Sequence, residues 1–270
     1  MILSRAHTVL VATIMPNNVV ENQGMANQGM ANSGMAMPAW AVSLLQMASP
    51  MLPIGAFSYS QGLEMAHAMG WVENEAQAQT WIASQWQGSF APRELAALQL
   101  AYAAVAHHDL KQMQAIDDEF LASRDSAEAR METQQSGRSL MKWLRSLVPQ
   151  LEIEPELMGF IHSIDGDKLC GPIAFAICAH AQRMPSEIAR MAWGWSWLEN
   201  QVQAAVKIIP LGQTAGQRLL LELRQLVMQE APVFHSIVPS LANQTGWSFN
   251  PLGAIASMRH ERLYTRIFRS

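Results

Sequence analysis

Apolar residues recur along this chain at spacings of three and four, and no run alternates convincingly with period two. From Pro38 onward Ala, Leu, Gln, Met and Glu dominate. These are strong helix formers, and their spacing predicts amphipathic helices. Pro38 suits the first turn of a helix running through Met47, and Pro50 and Pro53 break the loop over 49–60. A short helix over 59–69 stops at Gly70, and Asn74 caps the next, through about Phe90. Pro92 is expected to open another that reaches about His107, and Asp109 to cap one through about Ser123. Asp125 with Glu128 resembles a capping box for a helix to about Val148, and 149–168 reads as less regular. Pro185-Ser186-Glu187 starts a helix in which Met191, Trp195, Leu198, Val202 and Ala205 form one stripe, while Trp193, Trp197 and Ala204 lie elsewhere around it. A helix apolar on several sides belongs at the centre of a bundle. Pro210 ends it, another follows over 212–229, and a last is expected within 240–258. The fold class is therefore all-α, a single irregular bundle of about ten helices.

Residues 23–37 repeat Gln-Gly-Met-Ala-Asn with small changes. Such a segment has no amphipathic period and too little apolar bulk to offset its ordering entropy. Residues 1–37 are expected to be a flexible tail, and 38–270 the helical domain. A Met-rich metal-binding tail is the sharper reading, but borderline divalent metals prefer nitrogen and thiolate to thioether.

Composition narrows the class. Charged residues make up only 15% of the 270, against 50% hydrophobic. A surface so low in charge and rich in Met suits lasting protein contacts. The net charge of −4 calls for no nucleic acid. Cys170 and Cys178 lie eight apart, about 12 Å by helical rise, too far to bridge. Two buried thiols in a reducing compartment are expected. No apolar run is long enough to span a bilayer. Arg5 and the apolar stretch at 9–15 faintly resemble a signal peptide, but that stretch is short and lacks a small-x-small cleavage site. A cytoplasmic protein is expected.

Catalytic signatures are missing. The sequence has no Gly-x4-Gly-Lys-Ser/Thr, Gly-x-Gly-x-x-Gly, Gly-x-Ser-x-Gly, His-Glu-x-x-His or Cys-x-x-Cys. No cofactor, metal site or catalytic residue follows from it. Cys178 and His180 come nearest to a ligand pair, but positions two apart on a helix point away from each other. Glu64 and His67 share a helical face, where a local hydrogen bond is commoner than a metal.

Three segments stand out from a bland bundle. The first runs Pro53-Ile-Gly-Ala-Phe-Ser-Tyr-Ser-Gln-Gly-Leu-Glu64, a loop feeding a helix. The second is Val206-Lys207-Ile-Ile-Pro-Leu-Gly-Gln-Thr-Ala-Gly-Gln217, with Lys207 where a helix C-terminus welcomes a cation. Gly212 and Gly216 there suit the close approach of a neighbouring helix. The third is Ser257-Met-Arg-His-Glu-Arg-Leu-Tyr-Thr-Arg-Ile-Phe-Arg-Ser270. If helical, it places Arg259, Arg262, Arg266 and Arg269 on one face, with Leu263, Tyr264, Ile267 and Phe268 opposite. Packing of the loop, a helix cap and a solvated basic face would account for each segment singly.

Taken together, in order and at these separations, the segments resemble the UreF family of urease accessory proteins. Its pattern combines Pro-x-Gly-x-Phe-x-x-Ser-x-Gly-Leu-Glu, a later Lys-x-x-Pro-Leu-Gly-Gln and a His-Glu-x-x-Tyr-x-Arg-Leu-Phe-like end. Ile267 stands where Leu is more usual, and the tail over 1–37 falls outside the pattern. The resemblance implies an all-α homodimer without catalysis of its own. That dimer would bind the accessory protein UreD (also called UreH), recruit the GTPase UreG, dock on the urease apoenzyme and support nickel insertion. The alternative reading is a GTPase-activating regulator of UreG. The matched positions Phe57, Tyr59, Ser60, Glu64, Lys207, Gln213, Gly216, Tyr264, Arg266 and Phe268 become the candidate partner-binding residues. Phe57 and Arg266 match positions implicated in recruiting the GTPase. The segment over 257–270 is expected to be mobile until a partner orders it.

Overall fold

The computed structural model describes residues 37–230 and 250–269. Helix follows helix throughout, and no strand occurs among the described residues. Of the tail expected over residues 1–37, all but Met37 lies outside them. From Pro38 onward the chain forms one unit with its own core.

Helix α1 spans Trp40–Met47, and α2, Leu63–Ala68, follows the loop. Helix α3, Glu75–Gln85, starts where Asn74 accepts the Gln77 amide at 3.0 Å. No break occurs at Pro92, contrary to the sequence reading. The backbone runs from α3 through a π-helical segment, Trp86–Leu95, into α4, Ala96–Ala106. A proline within an α-helix removes a donor and clashes with the carbonyl four residues back. The wider π register changes which carbonyl lies there, so the chain passes Pro92 and still turns Trp86 and Phe90 inward.

Asp109 caps α5, Leu110–Ala122, as expected, accepting the Gln112 amide at 2.9 Å. The capping box expected at Asp125 is absent. Ser126 caps α6, Ala127–Leu147, while Asp125 pairs with Arg93 at 2.8 Å. Glu128 is thereby free for another task. Within the stretch expected to be irregular, Pro155 opens α7, Pro155–Ser163.

Helix α8, Gly171–Ala181, is buried on nearly every side between α4 and α6. Its first amides find partners on other elements. The Cys170 amide donates to Asp117 of α5 at 2.8 Å and the Gly171 amide to Thr133 of α6 at 3.0 Å. Gly137 lets α6 come this close: a Cβ there would lie 1.9 Å from the Leu169 carbonyl. Both cysteines are free and buried, and burial pushes both thiols far above their ordinary range. Cys178 packs towards the Leu140 carbonyl, whereas His180 lies edge-on to Tyr102.

Helix α9, Ser186–Ile208, is the axle. It packs against α1, α2, α3, α4, α8 and α10, Gln213–Glu230. Its fully buried face differs from the expected stripe: Trp193 and Trp197 are buried, whereas Met191 and Trp195 are half-buried. Trp197 stacks on Phe90 at 4.5 Å, and the π segment supplies that partner. The last described helix, α11, spans Pro251–His260, and Asn250 caps it by accepting the Gly253 amide. No helix among the described residues is long and apolar enough to cross a membrane.

Candidate partner-binding site

The loop before α2 takes positive φ first at Gly55 (74°) and again at the Gln61-Gly62 pair (52° and 86°), a region where a side chain costs strain. Between them one 3-10 turn, Ala56–Ser58, lifts Phe57 out to 63% exposure. The rest of the motif points inward. Tyr59 is buried, and its hydroxyl donates to Gln135 of α6 at 2.7 Å. Burial pushes that phenol above its ordinary value, and nearby Arg269 partly offsets the rise. The Tyr59 carbonyl accepts from Asn200 of α9 at 3.1 Å. Ser60 is buried and accepts the Glu64 amide at 3.2 Å, which anchors the first turn of α2.

Glu64 is the hub. Its carboxylate accepts the Ile267 amide at 2.6 Å and the Phe268 amide at 3.0 Å, and faces His260 Nε2 at 3.0 Å. The other ring nitrogen, Nδ1, faces Glu128 of α6 at 2.8 Å. His260 is 0% exposed, and both ring nitrogens face partners within the chain. Arg266 binds the other oxygen of Glu128 at 2.6 Å, so the two carboxylates, the imidazole and the guanidinium form one connected cluster.

Beyond His260 the chain leaves the helix and folds back as a strap over 261–269. This corrects the expectation of one amphipathic helix with four arginines on a face. A helix would leave the Ile267 and Phe268 amides bonded within itself, whereas here Glu64 accepts both along a bent, non-helical course. The Arg269 amide donates to the Ser58 carbonyl at 2.7 Å, and Phe268 is buried. The basic segment thus finds its acidic partners inside its own chain. Arg266 is turned the same way. Its Nε donates to the Leu263 carbonyl at 2.9 Å, Nη1 to Glu128, and Nη2 to the Glu261 carbonyl. Every guanidinium nitrogen makes a bond within the chain, so Arg266 organises the strap.

Of the ten candidates, the structure brings together Phe57, Tyr59, Ser60, Glu64, Arg266 and Phe268. Lys207, at the exposed end of α9, joins them with its ammonium 5.8 Å from the Phe268 ring. Tyr264 is carried on the strap itself at 101% exposure, as is Ile267 at 68%. Gln213 lies exposed in the first turn of α10, and Gly216 is buried against Val206 of α9. Of the close helix approaches expected at Gly212 and Gly216, only that at Gly216 is present; a Cβ on Gly212 would meet nothing within 4 Å. Glu128, Gln135 and His260 were not among the candidates. His260 stood inside a quoted motif, and Glu128 was assigned to a cap that another residue makes.

No group of three or more His, Cys, Asp or Glu side chains is placed to hold a metal among the described residues. What remains is a built surface: the exposed rings of Phe57 and Tyr264 and the Ile267 side chain, borne on two segments tied together by buried charge.

Comparison with known proteins agrees with this arrangement of motifs. A family model described as UreF matches residues 72–224. The urease accessory protein UreF of Azoarcus sp. (strain BH72) is 42% identical over 230 residues, covering 85% of this chain and 95% of that one. The protein of the same name from Dechloromonas aromatica (strain RCB) is 40% identical over 232 residues, covering 84% and 96%. That of Pseudomonas fluorescens is 38% identical over 233 residues, covering 86% and 99%. An all-helical fold, these motifs and relatives aligned over nearly their whole length lead to one conclusion: this chain belongs to the UreF family of urease accessory proteins.

Proposed function

We propose that this chain is an adaptor of urease maturation, acting in the cytoplasm as a homodimer and catalysing nothing itself. With a UreD/UreH accessory protein it recruits the GTPase UreG, and the assembly docks on the urease apoenzyme and supports insertion of nickel. The observation that carries this reading is the joining of the first and last motifs. The loop bearing Phe57 and the strap bearing Tyr264 and Ile267 are bonded at Ser58 and at Glu64. They present exposed aromatic area on a fixed frame, which is the character of an interaction hot spot. The names of the relatives support the pathway.

Phe57→Ala separates surface from core. At 63% exposure the ring contributes little to the fold. The melting temperature should stay put, while assembly of the three-protein complex in a pull-down weakens by about 1–3 kcal/mol. A lowered melting temperature with normal assembly would defeat the reading. The alternative, a regulator that raises GTP hydrolysis by UreG, is tested by adding this protein to the GTPase and following turnover. An arginine finger from Arg266 would first require breaking its three bonds to Leu263, Glu128 and Glu261.

A further inference from the structure

Away from the strap, a cavity of about 120 Å³ opens between the π segment, α6, α9 and α11. Space of that size would hold on the order of ten waters. The π segment alone contributes Ser89, Phe90, Arg93 and Glu94 to its wall. π-helical geometry is rare and occurs frequently at functional sites. Here it turns one edge of the segment into the cavity while Trp86 stays in the core.

The wall has a particular unmet demand. Gln85 is 8% exposed, and its carbonyl oxygen accepts from Asn250 at 2.6 Å, but its amide nitrogen has no partner. Arg124 bonds Glu94 through Nη1 and Ser123 through Nη2, and its Nε has none. The Ser196 hydroxyl likewise has none. Buried donors left unpaired are costly, so this cavity calls for acceptor oxygen.

Charge decides which kind. Arg93 is paired with Asp125 and Arg124 with Glu94, both at under 3 Å, so an incoming anion meets no surplus cation. Glu132 adds a further carboxylate to the lining, which disfavours anions again. A cation would leave the orphan donors unpaired. A neutral carbonyl oxygen answers them, and a carboxamide adds N–H groups for the carboxylate oxygens. Trp193 and Trp197 supply flat apolar walls, with their indole N–H groups already held by Glu94 and Gln61.

We propose that this cavity is a binding site for a small, uncharged carboxamide, its oxygen received by Gln85, Arg124 and Ser196. The site adjoins the partner-binding loop, whose Ile54, Ala56 and Gln61 help line it, but it uses none of the candidate partner-binding residues and does not depend on the function proposed for them.

The test is a titration of the full-length protein with acetamide, read from the indole N–H resonances of Trp193 and Trp197. Acetate and methylammonium, at matched ionic strength, are the controls. Acetamide should shift both resonances and saturate in the millimolar range. Gln85→Met and Ser196→Ala should each weaken it by about tenfold, the effect of one lost hydrogen bond to a buried group. Ser196→Ala removes only an unpartnered hydroxyl, so it keeps the test valid if Gln85→Met folds poorly. Shifts that stay linear to high concentration would overturn the proposal, leaving a hydrated void. Tighter saturation by acetate or methylammonium would overturn the class of ligand. Unchanged binding in the Ser196→Ala protein would place acetamide elsewhere and overturn the site.

Discussion

Glu64 accepts two strap amides and faces a buried imidazole, so three bonds rest on one carboxylate. Replacing it by Gln removes the charge and puts an NH2 group against donors. Glu64→Gln should cost about 1–3 kcal/mol and lower the melting temperature by several degrees. Faster hydrogen exchange at Ile267 and Phe268 should accompany the loss, and unchanged exchange there would show that the strap is held elsewhere. Arg266 belongs to the same clamp from the other side. Arg266→Ala should keep the fold, loosen the strap and reduce GTPase recruitment in a pull-down. Arg266→Lys should rescue poorly, because one ammonium cannot reach three acceptors laid out for a planar fork. Normal recruitment by the Ala variant would remove Arg266 from the site. The sequence identified Glu64 and Arg266 through motifs, but it could not pair them. Glu128 and His260, which link them, lie 132 residues apart.

The helices themselves were legible because caps and periodicity are local. Asn74 and Asp109 cap as their types and places imply. Where the reading failed, a residue had found a distant partner. Asp125 left the expected cap for Arg93, and Pro92 passed through a π register that no local rule announces. Glycines divide in the same way. Gly137 of α6 and Gly159 of α7 look alike in sequence, yet a Cβ on the first would meet the Leu169 carbonyl and on the second nothing within 4 Å. Gly137→Ala should destabilise by about 2–4 kcal/mol, while Gly159→Ala should stabilise by about 0.5–1 kcal/mol through helix propensity. Two melting curves decide it, and similar shifts would refute the close approach of α6 to the start of α8. That junction also carries a pH dependence. Burial raises the Asp117 carboxyl above its ordinary value, partly offset by the Cys170 amide. A raised native value means that the native state binds the proton more readily than the unfolded state does. Stability from this group is therefore greatest at low pH, and falls as pH rises from about 4 through the raised value. Asp117→Asn keeps an acceptor for the amide and should flatten that part of the stability–pH curve.

The chain from Pro38 to Ser270 has a core of its own, built around α8 and α9. Deleting residues 1–37 should therefore leave the melting temperature and urease activation unchanged. A large loss of stability in the truncated protein would show that the core needs that segment. The family relationship and the adaptor reading concern this unit, because the matched region and the three motifs all lie within it.

All-α class, most helix starts, the central place of α9 and the family were already decided by the order of residues. Each rests on neighbours a few positions apart or on motifs read in series. The π passage, the Ser126 cap, the strap and the buried clamp of Glu64, His260, Glu128 and Arg266 were settled only when distant helices met. A carboxylate's partner is whichever donor arrives beside it, and for Glu64 that donor came from about 200 residues away. Desolvation then makes the pairing binding, since a buried charge without its partner costs more than the local structure could repay.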